Sequence, residues 1–472
     1  MPRNKEGSVA LLFFSFLNLS RQFLPPAVIV MLSLLSLSRR SSSLSMATPI
    51  TGRGVFAFIV QRQQHHHVPQ PAFSSTTRLF SSNSRSTETN DFSCSRLGLN
   101  PMENRRHCPL VYHEHYSFDD WPEHHTFPMD KFARLARALT DCNDTTDIDT
   151  TCNTTNTAPV PLVEDYQHFF RPLDYNPENW PLLQSWLYTC GPLDKRFVDR
   201  FVNAEFTEEE ARRIGFREQM YRPELIQRTI LEVAGTVLTA QLACHYGIAA
   251  NLAGGTHHAC HNMGSGYTIL NDLVVTAHYL LTNHNSESWM YGHDSNNSRM
   301  TMKIERVLVV DCDVHQGDGT AKCMEQVGRD KLFTLSLHCA SNYPHPKAHS
   351  TYDIGLPDKM QDDAYLQTLQ EALDRALEEV QPDFVLYDAG VDIYEHDKLG
   401  RLKITEEGIR KRDNLVLSRC VDLEIPVAGV IGGGYDRDVD ALARRHGILH
   451  EECSRIWRER KMWKQDLSIL SI

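Results

Sequence analysis

None of the 12 cysteines in this 472-residue chain stands in a Cys-x-x-Cys pair, and their spacing follows no pattern. In a chain this long that argues against a disulfide framework, and Cys260, Cys312, Cys323 and Cys339 are expected as small buried hydrophobes in a reducing compartment. Basic excess is missing too. The formal charge is −12, which argues against a general nucleic-acid binder with a basic stripe, and no direct nucleic-acid contact is expected. Long uninterrupted apolar runs are also lacking. The apolar stretch from Val9 to Ser38 is broken by Arg21 and by Pro25-Pro26, and residues 23–38 are too short to span a bilayer, so no stable membrane span is expected. With 41% hydrophobic and 23% charged residues the remainder is ordinary for a soluble globular protein.

Acidic residues are absent between Glu6 and Glu88, where Ser, Thr, Arg and Gln abound. Such composition marks an organellar leader outside the fold, so residues 1–103 are set aside as targeting and disordered sequence. Two routes fit. A signal-like apolar block followed by a Ser/Thr/Arg tract suits a complex plastid, with PAFSS (71–75) as junction. Translation from Met46 would leave a mitochondrial presequence cut near RLFSS (78–82). The expected location is a mitochondrion or plastid, or the cytoplasm or nucleus if the leader is unused.

One domain is expected over 104–460, with a tail at 461–472 and polar insertions near 140–160 and 283–301. The first insertion, TDCNDTTDIDTTCNTTNT, is nearly free of apolar residues and is expected as a disordered loop. Elsewhere strands alternate with helices. PLVYHEHY (109–116), 248–255, 304–310, 331–338, 383–390 and 425–431 read as strands; 127–139, 223–247, 362–381 and 405–422 read as helices; 266–281 reads as a strand passing into a helix. That alternation predicts an α/β fold with a parallel sheet buried on both faces, whose ligands sit at the carboxyl ends of the strands.

Polar residues gather at that edge: His257 and His258, then Asp311, Asp313, His315 and Asp318, then Asp392, then Gly432-Gly433-Gly434-Tyr435. Alone, each motif more often marks a turn, a cap or a satisfied core pair. Together they fit a catalytic zinc site, with Asp313 and His315 on one face of an extended segment and Asp392 reaching in from a neighbouring strand. A divalent ion would compensate the buried charges. Asp311, on the same face, either orients a histidine or helps hold a monovalent cation. The adjacent histidines suit a base and an acid, with Asp311 and Asp318 available to fix their tautomers. Tyr435, after three glycines, suits a donor to an oxyanion.

GGTHHA (254–259), GYTILND (266–272), DCDVHQGDG (311–319), SLH (336–338), AGVD (389–392) and GGGY (432–435) resemble the histone deacetylase superfamily, which includes acetylpolyamine amidohydrolases and acetoin-utilisation proteins. RRIGF (212–216) and DKLGRL (397–402) are similar to its bacterial-like and class IV branch. The resemblance implies a three-layer arginase/deacetylase fold with about eight parallel strands between helices. It implies Zn2+ (or Fe2+) on Asp313, His315 and Asp392, and a general base and acid in His258, paired with Asp318. His257, paired with Asp311, takes an electrostatic role, and Tyr435 polarises the acyl carbonyl. A structural K+ would lie near Asp311, Asp313, His315, Ser336 and Leu337, and an acyl-lysine tunnel near Gly266, Tyr267, Tyr343 and Gly433. Tyr267 and Tyr343 stand where the family usually has phenylalanine, and His345 and Pro346 stand where it has Phe and Arg.

The implied activity is a zinc-dependent deacetylase that hydrolyses N-acetyl-lysine in histone or other proteins through metal-activated water. The same chemistry on an acetylpolyamine or an N-acetylated arylalkylamine is the alternative, since no acidic rim residue for gripping a peptide backbone is recognised. A catalytically weak scaffold ranks lower because the metal, histidine and tyrosine positions are intact. Arginase chemistry needs a two-manganese ligand set that the single DxDxH motif does not supply.

Overall fold

The computed structural model describes residues 106–141, 161–172, 191–283 and 303–464. The leader, both polar insertions and the end of the tail lie outside the described residues, as does the expectation of disorder at 140–160.

Among the described residues a short strand β1 (Leu110–Val111) comes first, followed by α1 (Lys131–Thr140), α2 (Lys195–Val202) and α3 (Glu208–Ile214). Helix α4 (Pro223–Tyr246) begins with Pro223, whose missing N–H has no partner to lose at a helix start, and stops at Gly247 with φ +83°. Then come β2 (Ile248–Asn251), α5 (Asp272–Asn283), β3 (Val307–Asp311), α6 (Asp318–Val327), β4 (Leu332–Cys339) and β5 (Tyr352–Leu356). The last elements are α7 (Asp362–Val380), β6 (Phe384–Asp388), α8 (Glu406–Asp422), β7 (Val427–Val430) and α9 (Val439–Glu459).

All strand pairings are parallel, in the order β1-β2-β7-β6-β3-β4-β5. Seven strands are thus described, one fewer than the number expected. Strand residues alternate between two cores. Val307, Val309, Phe384 and Leu386 pack toward α5 and α6, while Leu308, Val310, Val385 and Tyr387 pack toward α7, α8 and α9. Period-two alternation of wholly apolar strands is what a sheet covered on both faces requires. No helix among the described residues is long and apolar enough to cross a membrane.

Two sequence expectations need correction. Residues 266–271 form turns instead of a strand: Gly266 and Tyr267 both have positive φ, and only Ser265 and Thr268 form an isolated bridge. The segment after Asp311 is not extended either, because β3 ends there.

Candidate metal centre

Every pairing in the middle of the sheet delivers a functional residue to one edge. In register, Asp311 lies opposite Asp388 on one side and Ser336 on the other. Beyond β3 the chain coils through two side-chain-stabilised turns. Asp311 Oδ1 accepts from the main-chain N–H of Asp313 at 3.1 Å, and Asp313 Oδ1 accepts from that of His315 at 2.9 Å. These turns separate the acids that period-two spacing had placed together. Asp313 and His315 join Asp392, whereas Asp311 joins His257 and Asp388.

In the first group His315 Nδ1 lies 3.1 Å from Asp313 Oδ1 and 3.0 Å from Asp392 Oδ2. Donor atoms at that separation, from two carboxylates and one imidazole, fit a divalent ion bonded at about 2.1 Å. The set is held from behind. Val314 N–H donates to Asp392 Oδ1 at 2.8 Å, and Gly433 N–H donates to Asp313 Oδ2 at 2.8 Å. Arg412, wholly buried, donates to the Gly390 and Ala389 carbonyls just ahead of Asp392. Burial, followed by the Asp313 charge, pushes the Asp392 carboxyl up to about 7. Burial alone would lower His315; its bonds to Asp313 and Asp392 outweigh it and lift the ring to about 10. Such mutual perturbation is what buried carboxylates and an imidazole packed within hydrogen-bond distance produce.

Gly254 and Gly255, at φ +90° and +87°, turn the chain after β2 so that the paired histidines face this group. His258 Nδ1 lies 2.8 Å from Asp318 Oδ1, and the other Asp318 oxygen meets Lys322 Nζ at 2.5 Å. Burial, then the neighbouring His257, lowers His258 to about 4. His257 Nδ1 lies 3.0 Å from Asp311 Oδ2; burial would lower its pKa, but Asp311 and Asp313 raise it well above the ordinary value. Their surroundings thus push the two imidazoles in opposite directions although they are neighbours in sequence. Ser336 is spent on His338, with Oγ 3.0 Å from Nδ1.

A cavity reaches this centre, lined by Gly266, Tyr267, Gly433, Tyr435, His257 and His258. Its walls continue inward to Lys131, Arg228 and Glu232. Tyr267 packs on Phe127, Phe216 and Tyr435. Tyr343 is 44% exposed with its ring 4.9 Å from that of His258, so it forms the rim and not the wall. Burial, then Asp392, holds the Tyr435 phenol well above its ordinary pKa, so it stays a donor.

Four residues near the centre escaped the sequence reading. Asp388 ends β6 four residues before Asp392, and the rule of polar residues at strand ends could have found it. Asp397 accepts the main-chain N–H of Tyr435. Lys131 donates to the Gly432 carbonyl at 3.1 Å from the first turn of α1, where a lysine reads as a solvated face. Lys322 follows Asp318 by one helical turn, and that spacing was a readable signal.

Comparison with known proteins agrees with this architecture. The histone deacetylase domain family matches residues 194–448. An uncharacterized protein of Picosynechococcus sp. is 38% identical over 342 residues, covering 72% of this chain and 97% of the relative. Histone deacetylase 2 of Arabidopsis thaliana is 31% identical over 220 residues, 45% of this chain and 51% of that protein. Histone deacetylase 1 of Homo sapiens is 29% identical over 200 residues, 40% of this chain and 36% of that protein. Among solved structures, an HDAC homolog complexed with SAHA superposes with a TM-score of 0.53 at 20% identity, covering 74% of this chain and 84% of the other, which speaks for the shared fold. A domain match over more than half of the chain, joined to a relative matched along nearly its whole length, places the protein in the histone deacetylase family.

Proposed function

We propose that the chain is a metal-dependent deacylase that hydrolyses the amide of N-acetyl-lysine in proteins. The observation that carries this reading is the convergence, at the end of one cavity, of the Asp313–His315–Asp392 set, the His258–Asp318 pair and the Tyr435 phenol. A divalent ion on that set, zinc by preference, supplies Lewis-acid polarisation and a nucleophile at neutral pH. His258 carries its Nδ1 proton toward Asp318 and stays neutral near pH 7, so its Nε2 is free to take a proton from the attacking water. The same nitrogen returns that proton to the leaving amine. Tyr435, fully protonated, donates its O–H to the carbonyl oxygen as negative charge grows there. His257, held cationic beside Asp311, offsets that charge from the other side. Tyr267 lines the path of the acyl-lysine stem and Tyr343 stands at its rim; Asp311 and Ser336 would help hold a structural K+, which would steady the loop that carries Asp313 and His315.

A small acetylated amine is the second reading. The aromatic Tyr267 and Tyr343 favour an arylalkylamine, whereas Lys322 and Lys347 on the Tyr343 side disfavour a polyamine. An organellar site of action rests on the acid-free leader, and a C-terminal fluorescent fusion of the full chain tests it.

The activity test uses zinc-loaded protein on an acetyl-lysine peptide, an acetylpolyamine and N-acetylserotonin, beside Tyr435→Phe. Peptide turnover that disappears in the variant supports the reading. Turnover confined to a small amide supports the second, and no turnover of any substrate by metal-bound protein overturns both.

A further inference from the structure

The cavity does not end at the metal set. Its inner walls are Phe127, Phe132, Thr256, Lys131, Arg228 and Glu232. Lys131, 3% exposed, stands there as a cation without an anion. Its Nζ donates to the Gly432 carbonyl at 3.1 Å and lies 5.5 and 5.3 Å from the ring centres of Phe127 and Phe132, and no ion pair reaches it among the described residues. Burial, then Arg228, lowers its pKa to about 8, which leaves it mostly charged at pH 7. Asp313 and Asp392 also act on Lys131, but their charge is committed to the metal. Glu232 serves another cation. Its Oε1 accepts from Arg228 Nη2 at 2.7 Å and from the Gly254 N–H at 3.3 Å. Its Oε2 is buried and has no partner among the described residues. Burial raises this carboxyl, and in the acid form Oε2 is a donor. The chamber thus holds two cations against one acid, with spare N–H donors on Lys131. A buried cation of this kind is costly until an anion meets it.

We propose that the inner chamber binds a carboxylate at the far end of the acyl group, so that the enzyme removes malonyl- or succinyl-sized arms from lysine in preference to uncharged acyl groups of the same length. The inference rests on the amide hydrolysis proposed above and names its acyl class. The distal carboxylate supplies an acceptor to Lys131 and to the acid form of Glu232. Phe127 and Phe132 flank the cation with apolar walls, where an ion pair is stronger than in water. The free space is about 30 Å³, room for roughly one or two waters, so the arm is short. In the reaction, water gives its oxygen to the acyl carbon, the amide C–N bond breaks, the lysine nitrogen takes a proton and a dicarboxylate leaves.

The experiment compares three peptides that differ only in the group on lysine: acetyl, succinyl, and the amide of succinyl, which has the same shape without the charge. Dissociation constants are measured by fluorescence anisotropy on zinc-loaded, full-length Tyr435→Phe protein, so that turnover does not intervene, and kcat/KM is measured on the zinc-loaded wild type. The succinyl peptide is expected to bind at least about 10-fold tighter than its amide. Adding Lys131→Met is expected to remove that preference. Equal or weaker binding of the succinyl peptide overturns the proposal, and so does failure of all three to bind. A Lys131→Met variant that weakens acetyl and succinyl peptides equally leaves the cation to the released acid and also overturns it. The comparison of succinyl with its amide needs no change at Lys131, so it stands if that variant does not fold. Cleavage of the acetyl peptide without a succinyl preference sinks this inference and leaves hydrolysis standing. A succinyl preference in binding without cleavage of any peptide does the reverse.

Discussion

The main-chain N–H of Tyr435 donates to Asp397 Oδ2 at 2.7 Å, while Asp397 Oδ1 accepts from Leu399 and Gly400 at 2.8 and 2.9 Å. One carboxylate thus ties the glycine-rich loop that presents the phenol to the turn after Asp392. Asp397→Asn turns an amide N–H2 toward at least one of those donors. The expected result is a fall in kcat of about 10- to 100-fold, since the donor to the developing oxyanion is misplaced. KM and bound metal should change little. In a Tyr435→Phe background the same change should cost far less, because the group being positioned is gone. Steady-state kinetics on the four proteins decides, and additive losses reject the positioning role.

Gly433 is required by what it touches. A Cβ there would collide with both Asp392 Oδ2 and Asp313 Oδ2. Gly433→Ala should therefore weaken divalent-ion binding by at least about 10-fold, the scale on which displaced ligand support is felt. Calorimetric titration of the stripped protein with Zn2+ measures it, and unchanged affinity would sink the placement of those two ligands.

Arg412 is a buried cation whose Nε meets Asp413 Oδ1 at 2.9 Å, and Asp413 Oδ1 also accepts from Tyr387 O–H at 2.6 Å. Arg412→Met strands Asp413 without its cation and frees two carbonyls near the centre. A loss of about 3–5 kcal/mol is expected from urea unfolding. Arg412→Met with Asp413→Leu should recover part of it.

His450 in α9 is fully buried, and burial lowers its pKa from 6.5 to about 4 in spite of carbonyl partners at Asn251 and His446. The unfolded chain then binds the extra proton between those two values. Its contribution is complete above pH 6.5 and is lost as pH falls toward 4, by about 3 kcal/mol in all. Asp392 and Asp397, whose carboxyls are raised to about 7 and about 6, act with the opposite sign. The informative quantity is therefore the difference in melting temperature between wild type and His450→Gln across pH 4.5–7. A difference that does not change with pH rejects the assignment.

Strands such as 307–310 and 383–388 were legible because both their faces are apolar, and helices such as 223–246 because their length excludes a strand. The carboxyl-edge rule then gathered His257, His258, Asp313, His315, Asp392 and Tyr435 without side-chain coordinates. The rule stopped short where local turns override periodicity. Two aspartate turns redirect the chain after Asp311, and nothing in a period-two pattern announces them. The strand β5 was missed because its burial is broken, with Tyr352 half-buried and Asp353 exposed at the sheet edge. Helix α6 was missed because it starts on Asp318, which had been given to the site. Asp397 and Lys131 act through main-chain partners far away in sequence, contacts that only the folded chain defines.

The strand order has a consequence for synthesis on the ribosome. Among the described residues strand β2, which leads to His257 and His258, has only β1 and β7 as neighbours, and β7 also flanks β6. A nascent chain that ends before Val427 therefore holds the histidines on one sheet fragment and Asp313, His315 and Asp392 on another, with no hydrogen-bonded strand between them. The last strand made is the keystone, and the buried acids must wait for it. Long-range closure of this kind is slow and leaves edges open meanwhile. Emergence of residue 430 from the ribosome should therefore mark the point at which the nascent chain first gains protease resistance as a single unit.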